Sequence, residues 1–195
     1  NALVDWVLLE LRDADNPAKV DYATAVLIQR DGDLVTPSGN NELVLEGVNG
    51  GDYYVSLRHR NHLGVMTAAA INLPGGSTKT IDFSAPATGV AGEHARSESQ
   101  GVALMWAGDA NHDEKVIYQG IGSDQTQLLG DILSAPGNTS GSNNYILNGY
   151  SNSDINLDGK TIYAGPGNDN MLILYNVYLN PGNSSFAANF IVRGG

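Results

Sequence analysis

From Leu3 to Phe83 the apolar residues fall into short runs separated by Gly, Asn and Asp, a rhythm that predicts antiparallel strands joined by tight turns. The predicted strands are Leu3–Arg12, Ala23–Arg30 before the turn Asp31-Gly-Asp, and Glu42–Glu46 before Asn49-Gly-Gly-Asp. Tyr53–Arg60 and Val65–Ile71 flank Asn61-His-Leu-Gly, and Thr78–Phe83 closes the set. Six or seven such strands imply an antiparallel β-sandwich. The pattern changes after Ser84, where small and polar residues run to Gln100. The expected organisation is therefore a sandwich over 1–84, a linker over 85–100 and a second region over 101–195. In that region Gln125–Leu133 reads as a helix started by Ser123 and Asp124, Asn168 and Asp169 start an equivalent helix, and Ser184–Arg193 reads as a closing strand.

The second region is duplicated. Asp109-Ala-Asn-His-Asp-Glu-Lys-Val recurs 45 residues later as Asp154-Ile-Asn-Leu-Asp-Gly-Lys-Thr, and the same offset relates Tyr118 to Tyr163, Gly120 to Gly165, Asp124 to Asp169, Leu128 to Ile173 and Leu129 to Leu174. D-x-N-x-D places oxygen ligands at alternate positions of a curled loop, the way a loop of the EF-hand type holds calcium with six to eight oxygens at about 2.3–2.6 Å. The expected ligands of one ion are Asp109, Asn111, Asp113 and the backbone carbonyl of Lys115; those of a second are Asp154, Asn156, Asp158 and the carbonyl of Lys160. The Lys115 and Lys160 amines are expected in water. The closing acid comes late, since Asp124 and Asp169 are each the sixteenth residue of their loop rather than the twelfth. A Gly-containing turn within Y-x-G-x-G-[SN]-D could return these carboxylates to the ion. Gly159 stands where such loops require positive φ, and Glu114 stands there in the first copy, so the first loop should be the more strained.

The D-x-N-x-D-x-K-[VT] loop followed by an apolar helical stretch, present twice, resembles the dockerin type I repeat, a calcium-binding module of secreted bacterial proteins. The insertion before the last acid departs from that repeat. The segment Tyr53-Tyr-Val-Ser-Leu-Arg-His-Arg-Asn-His-Leu-Gly-Val-Met-Thr, preceded by V-D-W-V-L-L-E-L-R-D and Q-R-D-G-D, is similar to the carboxy-terminal region of large surface proteins of Bacteroidota. The corner G-V-N-G-G-D-Y-Y-V resembles those of prealbumin-like sandwiches. These resemblances imply an extracellular, cell-surface location and an accessory architecture; they imply no activity.

Composition narrows the partners. A formal charge of −11 with ten Lys and Arg in 195 residues excludes a dense basic face for nucleic acid. No apolar run of about 18 residues predicts a membrane span. With no cysteine, disulfides and thiolate chemistry are impossible. The cluster Arg58-His59-Arg60-Asn61-His62 could bind an anion or serve catalysis, but its plainer reading is a strand end packed on acidic neighbours, and no nucleophile motif accompanies it. Trp6, Trp106, Tyr53, Tyr54, Tyr175 and Tyr178 could offer sugar-stacking faces or pack as core, with Trp106 sealing the first loop and one of Tyr53 and Tyr54 buried. Asn138-Thr-Ser and Asn183-Ser-Ser have the form of glycosylation sequons, which carry little weight in a bacterial chain.

The sequence thus points to a non-enzymatic extracellular module with two calcium ions. It could self-associate into filaments by strand addition at Leu3–Leu11 and Phe186–Val192, although both segments could equally pair within one chain. Alternatively it is a dockerin-like or glycan-binding adhesion module that engages another surface protein or a glycan.

Overall fold

Strand β1 (Leu3–Asp13) carries the alternation that organises the amino-terminal half, with Val7, Leu9 and Leu11 buried. In the computed structural model, which describes residues 1–195, β1 pairs antiparallel with β2 (Val20–Gln29) through Trp6↔Leu27 and Leu9↔Thr24. On its other edge it pairs with β4 (Gly51–His59) through Leu9↔Leu57 and Arg12↔Tyr54. Strand β3 (Leu34–Val35) extends the sheet beyond β2, while β5 (Val65–Met66) and β6 (Ile71–Leu73) both pair with β4. The result is one six-stranded antiparallel sheet, curled into a half-barrel. The chain is mainly β, 30% strand and 11% helix.

No second sheet forms within residues 1–84, so the sandwich expected there is not confirmed. Glu42–Glu46 and Thr78–Phe83, predicted as strands, are irregular. Leu43, Leu45, Val48, Ile81 and Phe83 nevertheless pack on Val7, Leu9, Leu11, Val26 and Val55. Their apolar spacing records a buried face, which an irregular cover supplies as well as a strand does; without a ladder partner no strand forms.

The chain divides into two compact units, residues 1–59, 64–104 and 195 in the first and residues 60–63 and 105–194 in the second. The stretch expected to be a linker therefore belongs to the first unit. Its polar backbone is held there by Arg96, which donates to the carbonyls of Phe83 (2.5 Å), Ala85 (3.3 Å) and Thr88 (2.6 Å). It ends in a hairpin of β7 (Arg96–Ser99) and β8 (Val102–Met105).

In the second unit the duplication is structural. The first copy contains β9 (Lys115–Ile117), α1 (Asp124–Ser134) and β10 (Leu147–Asn148); the second contains β11 (Lys160–Thr161), α2 (Asp169–Leu179) and β12 (Ile191–Arg193). The closing strands are exchanged. β12 pairs with β9 of the first copy (Val192↔Val116), and β10 pairs with β11 of the second (Leu147↔Thr161), so the two pairings are related by the same 45-residue offset. The predicted strand Ser184–Arg193 shortens to β12. Ala110, Leu128 and Ile132 share one buried core with their counterparts Ile155, Ile173 and Val177, and with Trp106, Val116, Val192 and Leu63. No helix is long and apolar enough to cross a membrane.

The duplicated acidic loops as a candidate metal centre

Each loop is held by its own carboxylates. Asp109 Oδ1 accepts the N–H of Asp113 (3.1 Å) and Oδ2 that of Glu114 (3.1 Å); Asp154 Oδ1 accepts Asp158 N–H (3.1 Å) and Oδ2 Gly159 N–H (3.0 Å). Asn111 and Asn156 Oδ1 accept from Asp113 and Asp158 at 3.0 and 2.9 Å, and Asp113 and Asp158 Oδ1 accept from Lys115 and Lys160 at 3.1 and 2.9 Å. The loops turn through positive φ at His112 (60°) and Glu114 (62°) in the first copy and at Leu157 (59°) and Gly159 (84°) in the second. Glu114 thus occupies the left-handed region that its counterpart fills with glycine. Asn111, Asp113 and Lys115 are half-buried, whereas Asn156, Asp158 and Lys160 are exposed.

The late acid returns to the start of its loop. Between Tyr118 and Asp124 the chain turns at Gly120 (φ 126°), and Asp124 Oδ1 then accepts from Ala110 (2.9 Å) and Asn111 (3.4 Å) while Oδ2 accepts from Ile117 (2.8 Å). Asp169 repeats the arrangement with Ile155 (2.8 Å), Asn156 (3.1 Å) and Ile162 (2.8 Å). Both side chains are fully buried. The first role of these residues is a backbone clamp at the beginning of each helix.

The remaining acceptor capacity decides what the loops could hold. A carboxylate offers about four lone-pair sites and an amide oxygen two. After the hydrogen bonds above, Asp109 keeps one site on each oxygen, Asn111 one, and Asp124 one on Oδ2. No three His, Asp or Glu side chains are grouped closely enough to hold a metal by themselves. A hard cation would therefore need the asparagine and backbone oxygens as well, and that mixed oxygen set is the kind calcium takes.

Burial disfavours the ionised form of the clamps. Desolvation pushes Asp124 up to about 7 and Asp169 up to about 6, against the pull of their backbone N–H donors, and the neighbouring Asp109 and Asp154 charges add to the rise. Burial raises Asp109 and Asp154 too. A cation in the loop would lower all four. On donor chemistry and on charge, the residues fit calcium.

One lysine departs from expectation. Lys115 Nζ folds back to Asp113 Oδ2 at 3.1 Å rather than pointing to water, because a flexible amine beside a half-buried carboxylate gains an ion pair at little cost.

The Arg/His cluster meets acids and carbonyls. His59 Nε2 lies 3.2 Å from Asp5 Oδ2 with both side chains buried. In the second unit Arg60 donates to the Ser151 carbonyl, lies 3.6 Å from Asp154 Oδ2 and stacks 4.4 Å over the Tyr150 ring. Asn61, fully buried, joins both loops. Its carbonyl accepts from Gly108 (2.8 Å) and Asp109 (3.1 Å), and its amide donates to the carbonyls of Asn152 (2.9 Å) and Asp154 (2.7 Å). His62 Nδ1 sits 2.8 Å from Asn61 Oδ1. Among the aromatics, Trp106 is buried as expected and Trp6 is exposed, while Tyr53 and Tyr54 are both half-buried rather than one in and one out. Tyr175 is exposed, and Tyr178 packs edge-on against Phe186.

Sequence reasoning missed the two asparagines that cap the helix ends. Asn138 Nδ2 donates to the carbonyls of Ile132 (2.9 Å) and Ser142 (2.8 Å) while its Oδ1 accepts from Ser142 (2.8 Å). Asn183 does the same with Val177 (2.8 Å) and Ala187 (3.0 and 2.9 Å). The signal was Pro-Gly-Asn at 136–138 and 181–183, the same offset carried further.

Comparison with known protein families, with curated proteins and with solved structures finds no match. The functional reading of the loops stands on their own chemistry.

Proposed function

We propose that this chain is a non-enzymatic, extracellular structural module of a bacterial surface protein, in which two calcium ions hold the carboxy-terminal unit in shape and the curled sheet with its irregular cover serves as a reduced, prealbumin-like sandwich. The carrying observation is the repetition of one carboxylate-to-backbone pattern at two loops that retain free oxygen acceptors and buried negative charge. Calcium would supply the charge that burial leaves unmatched and bind the loop oxygens, linking metal affinity to folding. The engagement of His59 and Arg60 with Asp5 and Asp154 supports a packing role for the Arg/His cluster. Self-association by strand addition would use the edges left open: β1 is paired on both sides from Val7 to Arg12, whereas β12, which pairs only with β9, keeps one free edge. Metal analysis after dialysis against millimolar calcium tests the reading: two ions per chain support it, and fewer than one removes it.

A second reading, a glycan-binding adhesion module, is favoured by one feature. An open cleft of about 510 Å³ beside the first loop is lined by Tyr150, Asp131, Gln127, Asn111, His112 and Asn152, an exposed aromatic with hydroxyl-binding polar groups. Oligosaccharide binding abolished by Tyr150→Ala would establish it; no binding across a panel of neutral oligosaccharides would dismiss it.

A further inference from the structure

The two loops share their internal hydrogen bonds yet differ in the charge set against their first carboxylate. In the second loop Asp154 Oδ2 accepts Gly159 N–H at 3.0 Å and faces the Arg60 guanidinium at 3.6 Å, so the acceptor site left open on the equivalent oxygen of Asp109 is here directed at a cation. Among the charges that act on Asp109 are those of Asp113 and His112; among those that act on Asp154 are Arg60 and Asp158. Arg60 is held firmly. It is largely buried, donates to the Ser151 carbonyl and lies over Tyr150, and Asn61 beside it is tied to both loop entrances. A guanidinium fixed in this way cannot swing aside without losing its hydrogen bond and its ring contact.

We propose that Arg60 is the resident counter-cation of the second loop, preserving that loop's shape without metal and lowering its calcium affinity relative to the first. The inference rests on the calcium reading above. It also fixes the order of binding: the first loop fills at lower calcium, the second at higher. The strain at Glu114 does not reverse this order. Its positive φ is already present without an ion, so it weakens folding rather than binding.

The test is calcium titration by calorimetry, with Asp158→Ala used to read the first loop alone and Asp113→Ala to read the second. In the Asp113→Ala background, Arg60→Met should tighten calcium binding by at least about tenfold, the factor Coulomb's law gives for a unit charge about 6 Å from a divalent ion even at the dielectric of water. The same variant should melt lower than its parent in chelator, because the guanidinium is lost from Ser151 and Asp154. A merely structural residue would weaken both properties, so the opposite signs are diagnostic. Arg60→Lys should keep the weaker affinity, and Arg60→Gln, which removes charge but retains a donor, decides the matter if Arg60→Met fails to fold. Second-loop affinity that is unchanged or weaker in the folded neutral variants overturns the role of Arg60 and leaves the calcium reading intact. Absence of calcium binding in the parent overturns both.

Discussion

The two units of this chain reach order by different means. The first is built on a continuous ladder in which β1 is paired along both edges and its alternate side chains make the core. The second has strands of only two or three residues, and much of its backbone is satisfied by side-chain carboxylates and amides. A ladder bond between neutral groups is indifferent to ions and to mild acid. A bond to a buried carboxylate carries a charge with it, so order obtained that way follows pH and cations.

The largest effects should come from the cores and should separate the units. Leu128→Ala and Ile173→Ala, at equivalent fully buried positions, should each destabilise the second unit by about 2–5 kcal/mol, and Leu11→Ala should do the same to the first. The two tryptophans report separately, because Trp6 belongs to the first unit and Trp106 to the second. In a Trp6→Phe background, denaturant unfolding followed by Trp106 fluorescence should shift with Leu128→Ala and Ile173→Ala. An equal shift with Leu11→Ala would mean that the units do not unfold independently.

Acidity should sharpen the contrast next. Asp124 and Asp169 have folded-state values raised to about 7 and about 6, against about 3.9 for an unfolded aspartate. The protonated form is thus the favoured one in the folded state. The stability these groups contribute is full below about pH 4 and is lost as pH rises through 6 and 7. In chelator the second unit should therefore melt lower at pH 8 than at pH 5.5. Saturating calcium should reverse the sign, since the ion binds the deprotonated loops. The melting temperature of Trp106 fluorescence at both pH values, with and without calcium, reads all four states. A midpoint that moves with pH alike in calcium and in chelator would sever the link between clamp and metal.

Much of this centre was legible in the sequence, and the limits of that legibility are physical. The 45-residue offset located both loops, both helices and the returning acids, because ligand types and apolar positions are fixed by local geometry. The exchange of β10 and β12 was not legible, since pairings of two or three residues leave no periodicity to read. Glu42–Glu46 and Thr78–Phe83 were read as strands because alternation reports a buried face and not a ladder partner. Arg60 and Asn61 lie in what reads as an ordinary hairpin turn, and only the fold brings them to loops about 45 and 90 residues away in sequence. Asn138 and Asn183 match the sequon pattern, yet both are buried caps, a role that appears only once the helix ends are folded against them.

Those caps give a smaller, matched effect. Asn138→Ala and Asn183→Ala each remove an amide that satisfies one buried carbonyl, one partly buried carbonyl and one N–H, and each should destabilise the second unit by about 1–3 kcal/mol. Thermal unfolding of the two variants should give similar shifts. A large difference would break the equivalence of the copies at their helix ends.

The smallest effect tests the one position where the loops differ in backbone demand. Glu114 and Gly159 are counterparts, and both sit at positive φ. At Gly159 an added Cβ would meet nothing within 4 Å, so Gly159→Ala changes only the backbone preference. An L-residue in the left-handed region costs about 1 kcal/mol relative to glycine, and Gly159→Ala should destabilise the second unit by about that amount. At position 114 the comparison must remove the glutamate side chain from both arms, which Glu114→Gly and Glu114→Ala do together. The glycine variant should be the more stable by the same increment, because the φ that strains alanine is neutral for glycine. If the two variants at 114 melt together while Gly159→Ala is destabilised, the first loop has relaxed out of its positive φ, and the second copy alone keeps the strict turn.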